Sequence, residues 1–195
     1  LERNIFFGAT HEEALSRLLF LVEEQMRLGL LFGDSGTGKT LLLHQLRKEI
    51  HSNGGRTAMV NLRGASPEQF YCKLLEVFCQ EVPSEPTPGA CWRLLTDKRR
   101  PPESEPTVLM LDDLHLAQRP VMTEITRWMQ WHDVSNIRRT LIPVVDRSFL
   151  KEMSRELVAR VDLPIELTQW TFREMQFHLQ QLGPHFLRVG PILTP

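Results

Sequence analysis

Apolar residues recur at helical spacing between His11 and Arg27, where Ala14, Leu15, Leu18, Leu19, Val22 and Met26 share one side of a helix. Thr10 with Glu13 reads as a capping box at its start, and Gly29 as its stop. Leu30 to Phe32 then form a short, wholly apolar run, the pattern of a buried strand. Helical spacing returns with Leu41, Leu42, Leu43, Leu46 and Ile50, and the turn sequence Ser52 to Gly55 leads into a second strand, "TAMVNL". Ser66-Pro67-Glu68-Gln69 carries a hydroxyl cap, a first-turn proline and a capping-box glutamine, predicting a helix to about Gln80.

Beyond a proline-rich loop from Val82 to Gly89, a shorter helix is expected through Cys91 to Lys98, then another loop. "VLML" from Val108 is strand-like and ends in Asp112-Asp113. A helix through Trp128, a strand "TLIPVV" from Thr140 to Val145, a helix within Phe149 to Arg160 and a short strand within Val161 to Leu167 follow. Thr171 and Glu174 form a capping box for a last helix that Gly183-Pro184 stops. Strands alternate with helices and read as continuous apolar runs. That pattern predicts an α/β fold with a parallel sheet sandwiched between helices, its functional loops at the carboxyl ends of the strands.

Composition changes this picture little. The 195 residues suit one domain, with 42% hydrophobic and 24% charged residues excluding a disordered or membrane-dominated chain. A net charge of -1 gives no general grip on nucleic acid, which leaves such a partner to local patches like Lys98 to Arg100. No run approaches the roughly 18 to 20 apolar residues of a membrane span, and no signal-peptide pattern opens the chain. Cys72, Cys79 and Cys91 include no C-x-x-C pair. Cys72 and Cys79 read as small hydrophobes on one helix face, in a reduced, cytoplasmic setting.

Candidate chemistry concentrates in "GDSGTGKT", Gly33 to Thr40, which satisfies G-x-x-x-x-G-K-[ST] between a strand and a helix. Gly33, Gly36 and Gly38 leave space for backbone N–H groups of the loop, from Asp34 and Ser35 through Thr37 to Leu41, to converge on phosphate oxygens. The helix that follows presents its positive end to the same anion. Lys39 is expected to reach the β- and γ-phosphates of ATP, and the Thr40 hydroxyl to hold Mg2+. Such a loop needs an acidic partner on a neighbouring strand. Asp112, at the end of "VLML", is placed to hold Mg2+, and Asp113 to orient the attacking water. The strand "TLIPVV" ends in Asp146-Arg147-Ser148, where one polar group faces the phosphate; Arg155 and Arg160 are candidates to reach a neighbouring subunit.

From Phe6 to Leu43, and again in "LDDLHLAQ" and in Ala159 to Gly183, the chain resembles the ATPase domain of the general secretion pathway protein A group. That group of AAA+ P-loop ATPases is related to transposon-encoded ATP-binding helper proteins. The similarity rests on a double-aromatic lead-in, "HEEAL" with His11, Glu13, Ala14 and Leu15, the glycine loop with Asp34 in place of a glutamate, and Asp112 with His115. It covers about residues 5 to 183; the expected nucleotide-binding domain is 1 to 183, with 184 to 195 an irregular tail. The resemblance implies an ATPase working as a homo-oligomer, its active site at the subunit interface, that drives assembly of a larger complex with a protein partner. It also implies that Arg160 is the charge-stabilising arginine and Ile5, Phe6 and Phe7 the adenine contacts, while Asp146 is a γ-phosphate candidate from its place at the strand end. Asp113 stands where the family has a catalytic glutamate, and the sequence after Gly183 lacks the family's helical lid, read here as truncated or absent. Other readings are an ATP or ADP switch with little turnover, a DNA-transposition helper and, more weakly, a nucleotide kinase.

Overall fold

Five strands lie side by side, all parallel, in the order β2-β3-β4-β1-β5. They are β1 (Gly29–Gly33), β2 (Thr57–Asn61), β3 (Val108–Asp112), β4 (Thr140–Asp146) and β5 (Leu163–Glu166). The helices are α1 (Ala9–Glu23), α2 (Lys39–Ser52), α3 (Pro67–Val77), α4 (Pro88–Leu95), α5 (Arg119–Val134) and α6 (Arg155–Ala159). Short 3-10 helices span Leu114–Leu116 and Arg147–Lys151. This computed structural model describes residues 8–77, 81–96, 108–134, 139–174 and 176. The expected Ile5 to Phe7 contacts, Cys79, the lid region past residue 176 and the 184–195 tail lie outside them.

Alternation along the central strands explains the layering. Val108 and Met110 of β3, with Ile142 and Val144 of β4, pack with Leu18 and Leu21 of α1 and Leu42, Leu43 and Leu46 of α2. Leu109, Leu111, Leu141 and Val145 face the other way, onto Phe70 and Leu74 of α3, Cys91 of α4, Ile125 of α5 and Leu157 of α6. Both faces are covered, which is why these strands carry no solvent-facing polar residue every second position. Pro143 sits inside a central strand and supplies no N–H to the ladder. Correspondingly, the β1–β4 pairing divides into a bridge at Leu28–Leu141 and a block starting at Leu31–Val144.

Several local expectations are revised. Helix α1 begins at Ala9 with Gly8 as its cap residue, so Thr10 is already helical and caps nothing. The helix ends by Glu24, the chain reverses through Gln25 at φ 53°, and Gly29 belongs to the strand. Residues Phe149 to Arg160 hold a 3-10 turn and a separate five-residue helix capped by Ser154. The capping box at Ser66 and Gln69 is reciprocal, with N···O distances of 3.0 and 3.3 Å. Cys72 and Cys91 face each other between α3 and α4, and burial pushes both thiols up.

Candidate functional site

Parallel strands place the glycine loop, Asp112, Asp146 and the end of β2 on one edge of the sheet. The acidic partner of the loop is not on an adjacent strand, as expected, because β4 lies between β1 and β3. The contact is made instead by helix α2 reaching across: Thr40 Oγ1 donates to Asp112 Oδ2 at 2.7 Å. Asp112 is 1% exposed, and its other oxygen accepts the backbone N–H of Asp113 at 3.0 Å.

The glycines of the loop have different duties. A Cβ on Gly33 would lie 2.2 Å from the Leu167 carbonyl oxygen, so this position serves the close passage of the chain leaving β5. Gly36 and Gly38 have φ of 81° and 89°, the left-handed region that side chains disfavour, and Gly36 opens onto empty space. The sequence reading gave all three to phosphate, whereas the geometry reserves one for packing. Lys39 Nζ donates to the carbonyls of Gly33 and Asp34, both at 2.8 Å, and so closes the loop over itself. Ser35 is exposed, Thr37 is buried, and Leu41 lies in the first turn of α2.

Asp113 adopts φ 54° and turns its carboxylate toward the end of β2. There Asn61 Nδ2 donates to Oδ2 at 3.1 Å and Arg63 Nε lies 3.4 Å from the same oxygen. Asp146 caps the following 3-10 helix, accepting from Ser148 N–H at 3.0 Å and Ser148 Oγ at 2.7 Å. Those two bonds hold its carboxyl below the usual range, with smaller help from the charge of Lys39. Its neighbour Arg147 pairs with Asp34 of the loop at 3.3 Å and with Glu166 at the end of β5.

Arg160 follows α6 and precedes β5, which puts it at the amino ends of the strands, opposite the glycine loop. It borders a cavity of about 270 Å3 that also takes in Arg27, Trp128 and Arg139. A strand of four or five residues is about 15 Å long, so Arg160 does not serve its own chain's loop. Arg155 is exposed at the first turn of α6.

The sequence reading missed a second cavity beside the loop. It has about 320 Å3 and is lined by Gly36 to Gly38 and Leu41, with His11, Gln169 and Trp170. Asn61 and Arg63 were missed as well. One signal was available: His11 shares the apolar stripe of Ala14 and Leu18, an unusual place for a histidine without a partner.

Comparison with known proteins agrees with this geometry. Residues 22–145 match the family model described as an AAA domain. No curated protein sequence matches the chain. Among solved structures, Cdc6p from Pyrobaculum aerophilum superposes with a TM-score of 0.76 at 17% identity, over 92% of this chain and 50% of that one. The ORC1 protein of Aeropyrum pernix, solved in complex with DNA, gives 0.63 at 17% identity, over 88% of this chain and 48% of that one. AMPPCP-bound DnaA from Aquifex aeolicus gives 0.61 at 18%, over 97% and 56%. The chain thus spans about half the length of these proteins, and at such identities the likeness is one of fold. With its parallel sheet, glycine loop and paired Thr40 and Asp112, the chain belongs to the AAA domain family.

Proposed function

We propose that this domain binds ATP at Gly33 to Leu41 and hydrolyses it with Mg2+, driving assembly or remodelling of a larger complex. The observation that carries the reading is the bond between Thr40 and Asp112, two residues 72 positions apart. Both offer hard oxygen donors. Among the described residues no group of three or more His, Cys, Asp or Glu gathers as a metal cage, and Mg2+ needs none, since substrate phosphates and water complete its shell. Thr40 and Asp112 are the residues that would hold it, and the ion when bound supplies charge to the phosphate oxygens.

The chain's own residues then divide the work. Lys39 exchanges the Gly33 and Asp34 carbonyls for β- and γ-phosphate oxygens, and the amides from Gly36 to Leu41 converge on the same anion. Asp113 orients water for attack on the γ-phosphorus, with the bond to the departing ADP oxygen breaking as the new P–O bond forms. Arg147, held by Asp34 and Glu166, is a cation at the strand end where Asp146 and Ser148 shape the turn. The cavity lined by Leu41, Gln169 and Trp170 takes the base. Arg160 acts on a neighbouring copy in a homo-oligomer, since it lies at the far end of the strands from its own loop.

A second reading, a nucleotide switch with little turnover, is favoured by the pairing of Asp113 with Asn61 and Arg63. Both readings are compatible with membership of the secretion-pathway A group or with a DNA-associated role, as for the ORC1 protein solved in complex with DNA. Among the described residues no helix is long and apolar enough to cross a membrane. Phosphate release from ATP, with and without Mg2+, against a Lys39→Ala control tests the first reading. Release no faster than the control, with ATP still bound, selects the switch. Retention on DNA that weakens as salt rises selects the DNA-associated role.

A further inference from the structure

His11 is 2% exposed and bridges two parts of the chain that flank the base cavity. Trp170 Nε1 donates to His11 Nδ1 at 2.9 Å, and His11 Nε2 lies 2.8 Å from the Thr37 carbonyl oxygen. An indole N–H can only donate, so Nδ1 must accept; Nε2 therefore carries the proton and donates to Thr37. These two bonds select one tautomer of the imidazole, and its ring meets the indole edge-on with centroids 5.6 Å apart.

The Thr37 carbonyl belongs to the planar peptide that ends in the Gly38 N–H. In a trans peptide these two groups point in opposite directions. By holding the Thr37 carbonyl, His11 fixes the direction of the Gly38 N–H, which lies on the opposite side of the same peptide. Gly38 keeps φ 89°, and a Cβ there would come within 3.2 Å of His11 Nε2, so the loop is fitted against the ring. The other end of the bridge is equally fixed. Trp170 directly precedes the Thr171–Glu174 capping box, with bonds of 2.8 and 3.3 Å. The Glu174 carboxyl is held below its usual range chiefly by the Thr171 bonds, with a smaller contribution from the backbone of Ala9 at the start of α1. A Cβ on Gly8 would lie 2.5 Å from Glu174 Oε1, so the start of α1 and the Glu174 side chain pack closely.

We propose that His11 is a positioning residue: it sets the Thr37–Gly38 peptide for phosphate and ties that setting to the segment Gln169 to Glu174. Nucleotide occupancy and the placement of the chain after β5 are then one equilibrium, transmitted through a single imidazole. The inference rests on the nucleotide-binding reading above.

The test is a double-mutant cycle on affinity for Mg-AMPPNP, with thermal melting of each protein recorded without nucleotide. His11→Ala and Trp170→Phe should each weaken binding about three- to tenfold, and the double variant no more than His11→Ala alone. His11→Gln, whose amide both accepts and donates, should bind within about twofold of wild type. Additive losses, or binding by His11→Ala equal to wild type, overturn the proposal. Should His11→Ala not fold, hydrogen exchange decides. Nucleotide must slow amide exchange at residues 171 to 174 in wild type but not in Trp170→Phe, and equal slowing in both overturns the relay. Wild type binding no better than Lys39→Ala contradicts the nucleotide reading itself, a different failure from these.

Discussion

The hydroxyl of Thr40 and the carboxylate of Asp112 meet at 2.7 Å, one from the first turn of α2 and the other from the end of β3, although β4 separates β3 from the β1 strand that leads into the loop. This contact joins the two halves of the sheet edge. Thr40→Ala should remove the Mg2+ enhancement of ATP binding, and Thr40→Ser should keep it. Lys39→Ala should weaken ATP binding about 10- to 100-fold, since a charged donor is lost. Calorimetric titration with and without Mg2+ checks both.

Asp113 is restrained by Asn61 and Arg63, so removing a restraint and removing the carboxylate should have opposite effects. Asp113→Asn should lower turnover by about two orders of magnitude. Arg63→Ala should raise it about two- to fivefold, the scale of one partly exposed ion pair, with ATP affinity unchanged. Steady-state phosphate release measures each. A fall in turnover for Arg63→Ala would show that the arginine assists catalysis.

Gly33 is fixed by packing against Leu167, so Gly33→Ala should act on stability before it acts on binding. The methyl would sit 2.2 Å from a backbone oxygen that cannot move alone. A loss of about 1–3 kcal/mol is expected, lowering Tm by about 2–4 °C for each kcal/mol. Thermal unfolding without nucleotide reads this directly.

Asp146 gives a pH dependence of defined sign. Its carboxyl is held below the ordinary value by the Ser148 bonds. The stability this contributes is present above the unfolded carboxyl range and is lost as pH falls through the folded value. Ser148→Ala should therefore cost stability at pH 7, and the difference from wild type should vanish in strong acid. Denaturant titrations at pH 7 and below pH 3 compare them; a constant difference would mean that the hydroxyl acts without the carboxylate's charge.

Arg160 lies at the opposite end of the strands from its own loop. Arg160→Ala should cut turnover in a concentrated, assembled sample by about a thousandfold while ATP affinity stays within about twofold of wild type. Mixing this variant with Lys39→Ala should restore some turnover, because each supplies the residue the other lacks. No restoration at any ratio would argue that Arg160 serves the fold.

Much of the fold was legible because it depends on patterns local in sequence. Val108 to Asp112 and Thr140 to Asp146 are apolar runs of strand length, and only strands covered on both faces read that way. Thr140 to Asp146 kept its strand despite Pro143, because the ladder tolerates one gap between Leu28–Leu141 and Leu31–Val144. Strand order was not legible. Nothing local to β1 says that β4 inserts beside it, so Asp112 was assigned to a neighbouring strand when helix α2 makes the contact. The glycine loop was legible as a motif, yet Gly33 answers to Leu167, more than 130 positions away. Asn61 and Trp170 were invisible for the same reason, and His11 showed only as a histidine on an apolar stripe, since their partners lie far off in sequence.

The most direct test of the central claim is calorimetric titration of Mg-AMPPNP into wild type, Lys39→Ala and Thr40→Ala. Saturable one-to-one binding by wild type, weakened at least about tenfold in Lys39→Ala and made insensitive to Mg2+ in Thr40→Ala, is the predicted result. Equal binding by all three proteins, or none by folded wild type, would contradict it.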